Sequence, residues 1–149
     1  MKQISKLFPV TLVSLALLAF SGAQNSGAHE GHDHSDGKKG PNGGKLFFSV
    51  EPHAEFLVTK DRKVQITFVD ENDKIVPVSE QTVTVIAGDR SSPTKLTFAK
   101  SGDVLLSDAP LPEGETFPAV VQIKPSPDAK IVIERLNVNL SDYPPSKPQ

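Results

Sequence analysis

VQITFVDENDKIVPV, residues 64–78, decides the fold. Val64, Ile66 and Phe68 fall on one side of a period of two, with Gln65 and Thr67 on the other. That alternation is the pattern of a strand with one buried face. Asp70-Glu71-Asn72-Asp73 then supplies a polar turn, and the apolar run IVPV returns. Pro77 has no N–H to give to a ladder, so the returning run is predicted at a sheet edge or a strand end.

Outward from this unit the same period recurs. KLFF opens a domain at Lys45, and EFLVT follows at 55–59. TVTVIA, 82–87, turns Val83 and Val85 inward; KLTFAK, 95–100, is read as one strand that does the same with Leu96 and Phe98. Asp103 to Leu106 is short, and AVVQIK, 119–124, and KIVIERLNVNL, 130–140, complete the set. Lys60-Asp61-Arg62 sits between two strands at hairpin length, although without a glycine. Ser101-Gly102, Pro112-Glu113-Gly114 and Pro125-Ser126-Pro127-Asp128 are further turns. No stretch carries a helical apolar stripe of useful length. The expectation is all-β: a single antiparallel β-sandwich of immunoglobulin-like architecture over residues 45–140. In its last run Ile131 and Ile133 share one phase, and Leu136, Val138 and Leu140 the other. A regular strand cannot turn both sets to one face, which predicts a bulge or bend near Glu134-Arg135.

The flanks have a different character. Residues 1–23 begin with Lys2 and Lys6, run apolar from Leu7 to Phe20, and end in small residues at Ser21 and Ala23. This is the layout of a secretory signal peptide; the apolar run of about 14 residues is too short to span a bilayer comfortably. Cleavage is expected after Ala23, with a second site after Ala28 that would make His29 the mature N-terminus. The mature chain is then exported, to the periplasm or the extracellular space, without a membrane span. Residues 24–44 contain no large apolar side chain and read as a disordered leader closed by the turn Pro41-Asn42-Gly43-Gly44. Residues 141–149, SDYPPSKPQ, read as an extended, proline-rich tail.

The chain has no cysteine, which excludes disulfides, thiolate metal sites and a lipidated N-terminal cysteine. Removing residues 1–23 takes away two cations and no acid, leaving a net charge of about −4. Scattered positive charges argue against a nucleic-acid partner.

Three of the four histidines lie within HEGHDH, residues 29–34. Neutral imidazole is a strong ligand for copper, nickel and zinc, and Glu30, Asp33 and Asp36 add oxygen donors. His29, His32 and His34 are therefore candidate metal ligands, as short histidine-rich tracts generally are. His53, at the start of a predicted strand, reads either as a partly exposed strand-end histidine hydrogen-bonded to backbone or as the fourth candidate ligand, with Glu51 and Glu55 as carboxylate neighbours; Glu55 then suits orienting the ring rather than ligation. Asp70, Glu71 and Asp73 do not follow a calcium-loop pattern and read as a solvated turn. The glycine-rich stretch lacks phosphate-loop spacing. No serine has a nucleophile's context, and no acid–base pair is visible, so the chain is not expected to be an enzyme.

The histidine-rich leader, GPNGGKLF, HAEFLV and VQITFVDENDKIVPV together resemble a small exported β-domain associated with the periplasmic adaptor proteins of bacterial heavy-metal efflux systems. The likeness covers roughly residues 29–78 and implies that His29, His32, His34 and His53 face a metal. Unlike that pattern, Ser35-Asp36-Gly37-Lys38-Lys39 separates the histidines from the turn. No adaptor hairpin or lipoyl-like region is present. The resulting expectation is an exported protein that buffers or hands over copper, zinc or nickel, accessory to efflux, with an efflux adaptor or another envelope protein as partner. The alternative is a non-catalytic interaction module of the cell envelope, tethered by its leader.

Overall fold

A computed structural model describes residues 37–143. The predicted signal peptide, His29, His32, His34 and residues 144–149 lie outside the described residues. The chain divides at Asp33/His34, and the second unit, which carries all the described strands, is the one described below.

That unit is built from antiparallel strands: β1 Lys45–Phe47, β2 His53–Val58, β3 Val64–Val69, β4 Ile75–Val76, β5 Thr82–Ala87, β6 Thr94–Leu96, β7 Phe98–Ser101, β8 Val104–Ser107, β9 Thr116–Lys124 and β10 Val132–Asn139. One sheet has the order β1-β2-β3-β8-β7, with β4 also on β3; the other has the order β10-β9-β5-β6. The expected two-sheet sandwich is present. Its core is the predicted alternation made solid: Phe56, Ile66, Phe68, Val85, Leu96, Val121, Ile123 and Val138 are fully buried between the sheets. Burial of apolar area at about 25 cal/mol per Å² is the main term holding the layers together.

Both short hairpins solve the missing-glycine problem in the same way. Thr59 N–H donates to Lys63 and Arg62 N–H to Thr59; Asp70 N–H donates to Lys74 and Asp73 N–H to Asp70. The third loop residue, Arg62 or Asp73, takes φ 60. A three-residue loop needs one left-handed residue, which non-glycine residues supply at modest cost. Arg62 then donates its guanidinium to the carbonyls of Pro112 and Gly114. The Asp70 carboxylate accepts from the backbone N–H groups of Lys74 and Asn72, and the first of these contributes most to holding its pKa below the ordinary value. The solvated-turn reading of Asp70–Asp73 holds.

Four sequence expectations are corrected. KLTFAK is not one strand. β6 belongs to one sheet and β7 to the other, and the chain crosses at Thr97. Asp108 pins the crossing: it accepts from Thr97 N–H at 3.0 Å and from Thr97 Oγ1 at 2.7 Å, while its own N–H donates to Thr97 O. Leu96 and Phe98 both meet the core because each now hangs from a different layer.

The bulge near Glu134-Arg135 is absent. β10 pairs with β9 in unbroken register, from Val132 opposite Ile123 to Asn139 opposite Thr116. Only one phase faces the core. Leu136 and Val138 are buried, whereas Ile131 is 55% and Ile133 46% exposed. The sheet keeps its register and leaves two isoleucines outside, because β10 is an edge strand with less core to fill.

The boundary at Gly44 also moves. Lys39 forms a bridge with Lys45, and Leu46 N–H donates to Lys38, so residues 38–44 fold back along β1. Lys38 reaches Asp73 at 2.7 Å.

The tail is not extended from Ser141 as expected: the 3-10 turn Leu140–Asp142 brings Tyr143 against the core, where its ring lies 6.0 Å from that of Phe56. Burial, and then the negative charge of Asp142, push the Tyr143 phenol up to about 12. It is the single tyrosine of a chain without tryptophan, so its absorbance change on ionisation is uncontaminated. The folded state favours the neutral phenol, so this contribution to stability is intact below about pH 10 and is lost as pH rises through about 12. Ultraviolet titration of the native protein should place the midpoint near 12. A midpoint near 10 would mean that the ring is not packed.

Candidate functional site

His53 opens β2, on the face turned away from the core, and its side chain is only 17% exposed. Three neighbours orient it. Nδ1 lies 3.1 Å from the carbonyl of Val50, a group that can only accept, so in the neutral ring Nδ1 carries the proton. Nε2 is then left with the lone pair that a metal or a proton would take. The ring of Phe48 stands edge-on at 4.9 Å. The carboxylate of Glu51, itself well exposed, is 3.5 Å from Nδ1. A carbonyl or carboxylate behind one ring nitrogen is the arrangement that fixes a ligand histidine for coordination through the other.

Glu55 does not orient His53. The two residues share a face of β2, but the Glu55 side chain is fully buried and serves the glycine-rich turn. Its Oε1 accepts from the backbone N–H of Asn42 at 2.9 Å and of Gly44 at 2.7 Å. Its Oε2 accepts from the Asn42 side-chain amide at 2.8 Å, and the same amide also donates to Thr67 at 3.2 Å. Buried carboxylates persist where their lone pairs are satisfied in this way. The glycines are required for the approach: a Cβ on Gly40 would lie 2.6 Å from Glu55 Oε1, and one on Gly44 would collide with the Phe56 carbonyl. GPNGG is thus a cap wrapped round one carboxylate rather than plain punctuation. Sequence reasoning missed this role; the available signal was an acidic residue at a strand position flanked by Ala54 and Phe56.

Among the described residues no three His, Asp or Glu side chains converge on one point. Glu51 lies beside His53 on its Nδ1 side, away from the free Nε2, while His29, His32 and His34 lie outside the described residues. At the opposite end of β2, Val58, Thr59, Lys60, Arg62, Leu140 and Tyr143 line a hollow of about 400 Å³. It offers no imidazole or carboxylate and is no metal site. No helix among the described residues is long and apolar enough to cross a membrane. No protein-family model, curated protein or solved structure matches the chain.

Proposed function

We propose that the protein binds a divalent transition metal (copper, zinc or nickel) through His29, His32 and His34, with His53 as a further imidazole ligand. Its role is to buffer the ion or hand it over outside the cytoplasm, without catalysis, as an accessory to heavy-metal efflux. The observation that carries this reading is the His53 ring itself. Its Nδ1 is turned to the Val50 carbonyl, which leaves Nε2 as the donor nitrogen. Reach is compatible with His34 joining it. Lys38 and Lys39 run antiparallel to β1, and Phe47 of β1 is paired with Ala54, the neighbour of His53. Two residues, Ser35 and Asp36, lie between Gly37 and His34, a span of at most about 11 Å.

Ligation requires neutral imidazole, so binding releases protons and weakens below about pH 6.5. Calorimetric titration with Cu(II) and Zn(II) tests the assignment on three proteins: wild type, the His29/His32/His34→Ala variant and His53→Ala. The triple variant is expected to lose tight binding. His53→Ala should weaken it by about tenfold or more, the scale on which altering a site's fixed ligand geometry acts. Equal affinity of the triple variant and the wild type would remove the leader from the site. Equal affinity of His53→Ala would confine the ligands to the leader.

A further inference from the structure

β10 is the longest strand at either rim of the sandwich. The other rim strands, β1, β4, β6 and β7, have two to four residues, whereas β10 has eight, without proline, lysine or bulge. Which of its backbone groups are free follows from the ladder. Leu140 N–H donates to Glu115 O, in the same register that pairs Val138 with Phe117 and Leu136 with Ala119. Hydrogen-bonded pairs alternate in an antiparallel ladder, so even-numbered residues of β10 bond to β9. Ile133, Arg135 and Asn137 therefore point N–H and C=O away from the sheet, and β10 pairs only with β9 among the described residues. Long edges of this kind are normally blunted. Here the protection is confined to Glu134, an inward-phase charge that accepts from Ser49.

The side chains beside that edge have a defined character. By register, Ile133, Arg135 and Asn137 lie on the outer face of the sheet, with Arg135, Val120, Ile86 and Lys95 in one row across all four strands. Lys124 shares this face. β5, β6 and β9 contain no acidic residue, and the single one on β10, Glu134, has the opposite phase. A face with several cations and no acid, on a chain of net charge −2, calls for an anionic neighbour.

We infer that the free edge of β10 accepts an extended, acidic segment of another protein as a fifth strand. Main-chain bonds to Ile133, Arg135 and Asn137 give the affinity, and an Asp or Glu opposite Arg135 with an aliphatic residue opposite Ile133 gives the selectivity. A second copy of the chain is the competing occupant: antiparallel self-pairing centred on Arg135 or Glu134 sets like charges opposite each other, whereas centring on Ile133 or Asn137 does not, and the self-association arm of the test separates the two. This inference uses no metal ligand and stands apart from the metal reading.

The test is amide hydrogen exchange on the whole chain with and without a capped synthetic peptide repeating Glu-Thr-Val-Thr, which sets glutamate and valine two positions apart on one face to meet Arg135 and Ile133. In the free protein the amides of Ile133, Arg135 and Asn137 should exchange fast and those of Glu134, Leu136 and Val138 slowly. The peptide should slow the first three. Replacing its glutamates by lysine should weaken binding about tenfold, and Arg135→Glu, an exposed substitution, should reverse that preference. N-methylation of the peptide on its bonding edge should abolish binding. Three results would overturn the inference: protection of all six amides in the monomer, which would mean the chain covers its own edge; protection that appears with self-association, which would assign the edge to a second copy; and peptide binding that leaves Ile133, Arg135 and Asn137 unprotected.

Discussion

Glu55→Ala is expected to cost about 3–5 kcal/mol of stability, enough to abolish most of the margin of a small domain. Two losses add. The buried Gly44 N–H and the two Asn42 donors lose their acceptor, and the side chain leaves a void under the turn. Glu55→Gln separates the two. It fills the space and keeps one oxygen for Gly44 and the Asn42 backbone, but presents an NH₂ to the Asn42 amide. Its cost should be about 1–2 kcal/mol. Urea unfolding of both variants measures the difference. An alanine variant as stable as the wild type would show that the carboxylate does not hold the turn.

Gly44→Ala is the second large effect, at about 3 kcal/mol or more. A methyl there meets the backbone of Phe56, in the middle of β2, and lies 2.9 Å from Glu55 Cγ. Neither can yield, because β2 is paired on both sides. Gly43 is the control. It has φ +85 with nothing within 4 Å of a built Cβ, so Gly43→Ala carries only the left-handed penalty of about 1–2 kcal/mol. Thermal unfolding should rank Gly44→Ala below Gly43→Ala. The reverse order would mean that backbone conformation, not close approach to β2, selects glycine in this turn. Affinity for metal, if held by the leader alone, should survive Gly43→Ala.

The candidate site was partly legible. His53 stood out as the single histidine beyond the leader, at the start of a predicted strand. Its Val50 contact was not legible, since it depends on how the loop between β1 and β2 folds back. The assignment of Glu55 failed for a related reason. Period two correctly put it on the face of His53, yet phase says nothing about what covers that face. The covering turn lies 11 to 13 residues earlier in the chain.

The sequence by itself determined the all-β character, most of the strand segments and the turns between them. Each depends on neighbours one to four residues away: alternation in VQITF, and polar turn residues at 60–62 and 70–73 between apolar runs. Only the tertiary structure decided which sheet a strand joins. Thr97 passes the chain between layers because Asp108 is there to hold it. Ile133 stays outside because β9 sets the register of β10, and Glu134 is met by Ser49, 85 residues away. Local steric preference acts through adjacent dihedral angles and is written in short windows. Partner choice is settled by burial and hydrogen-bond satisfaction across the whole domain, so the roles of Glu55 and of the free β10 edge appear only once both sheets are in place.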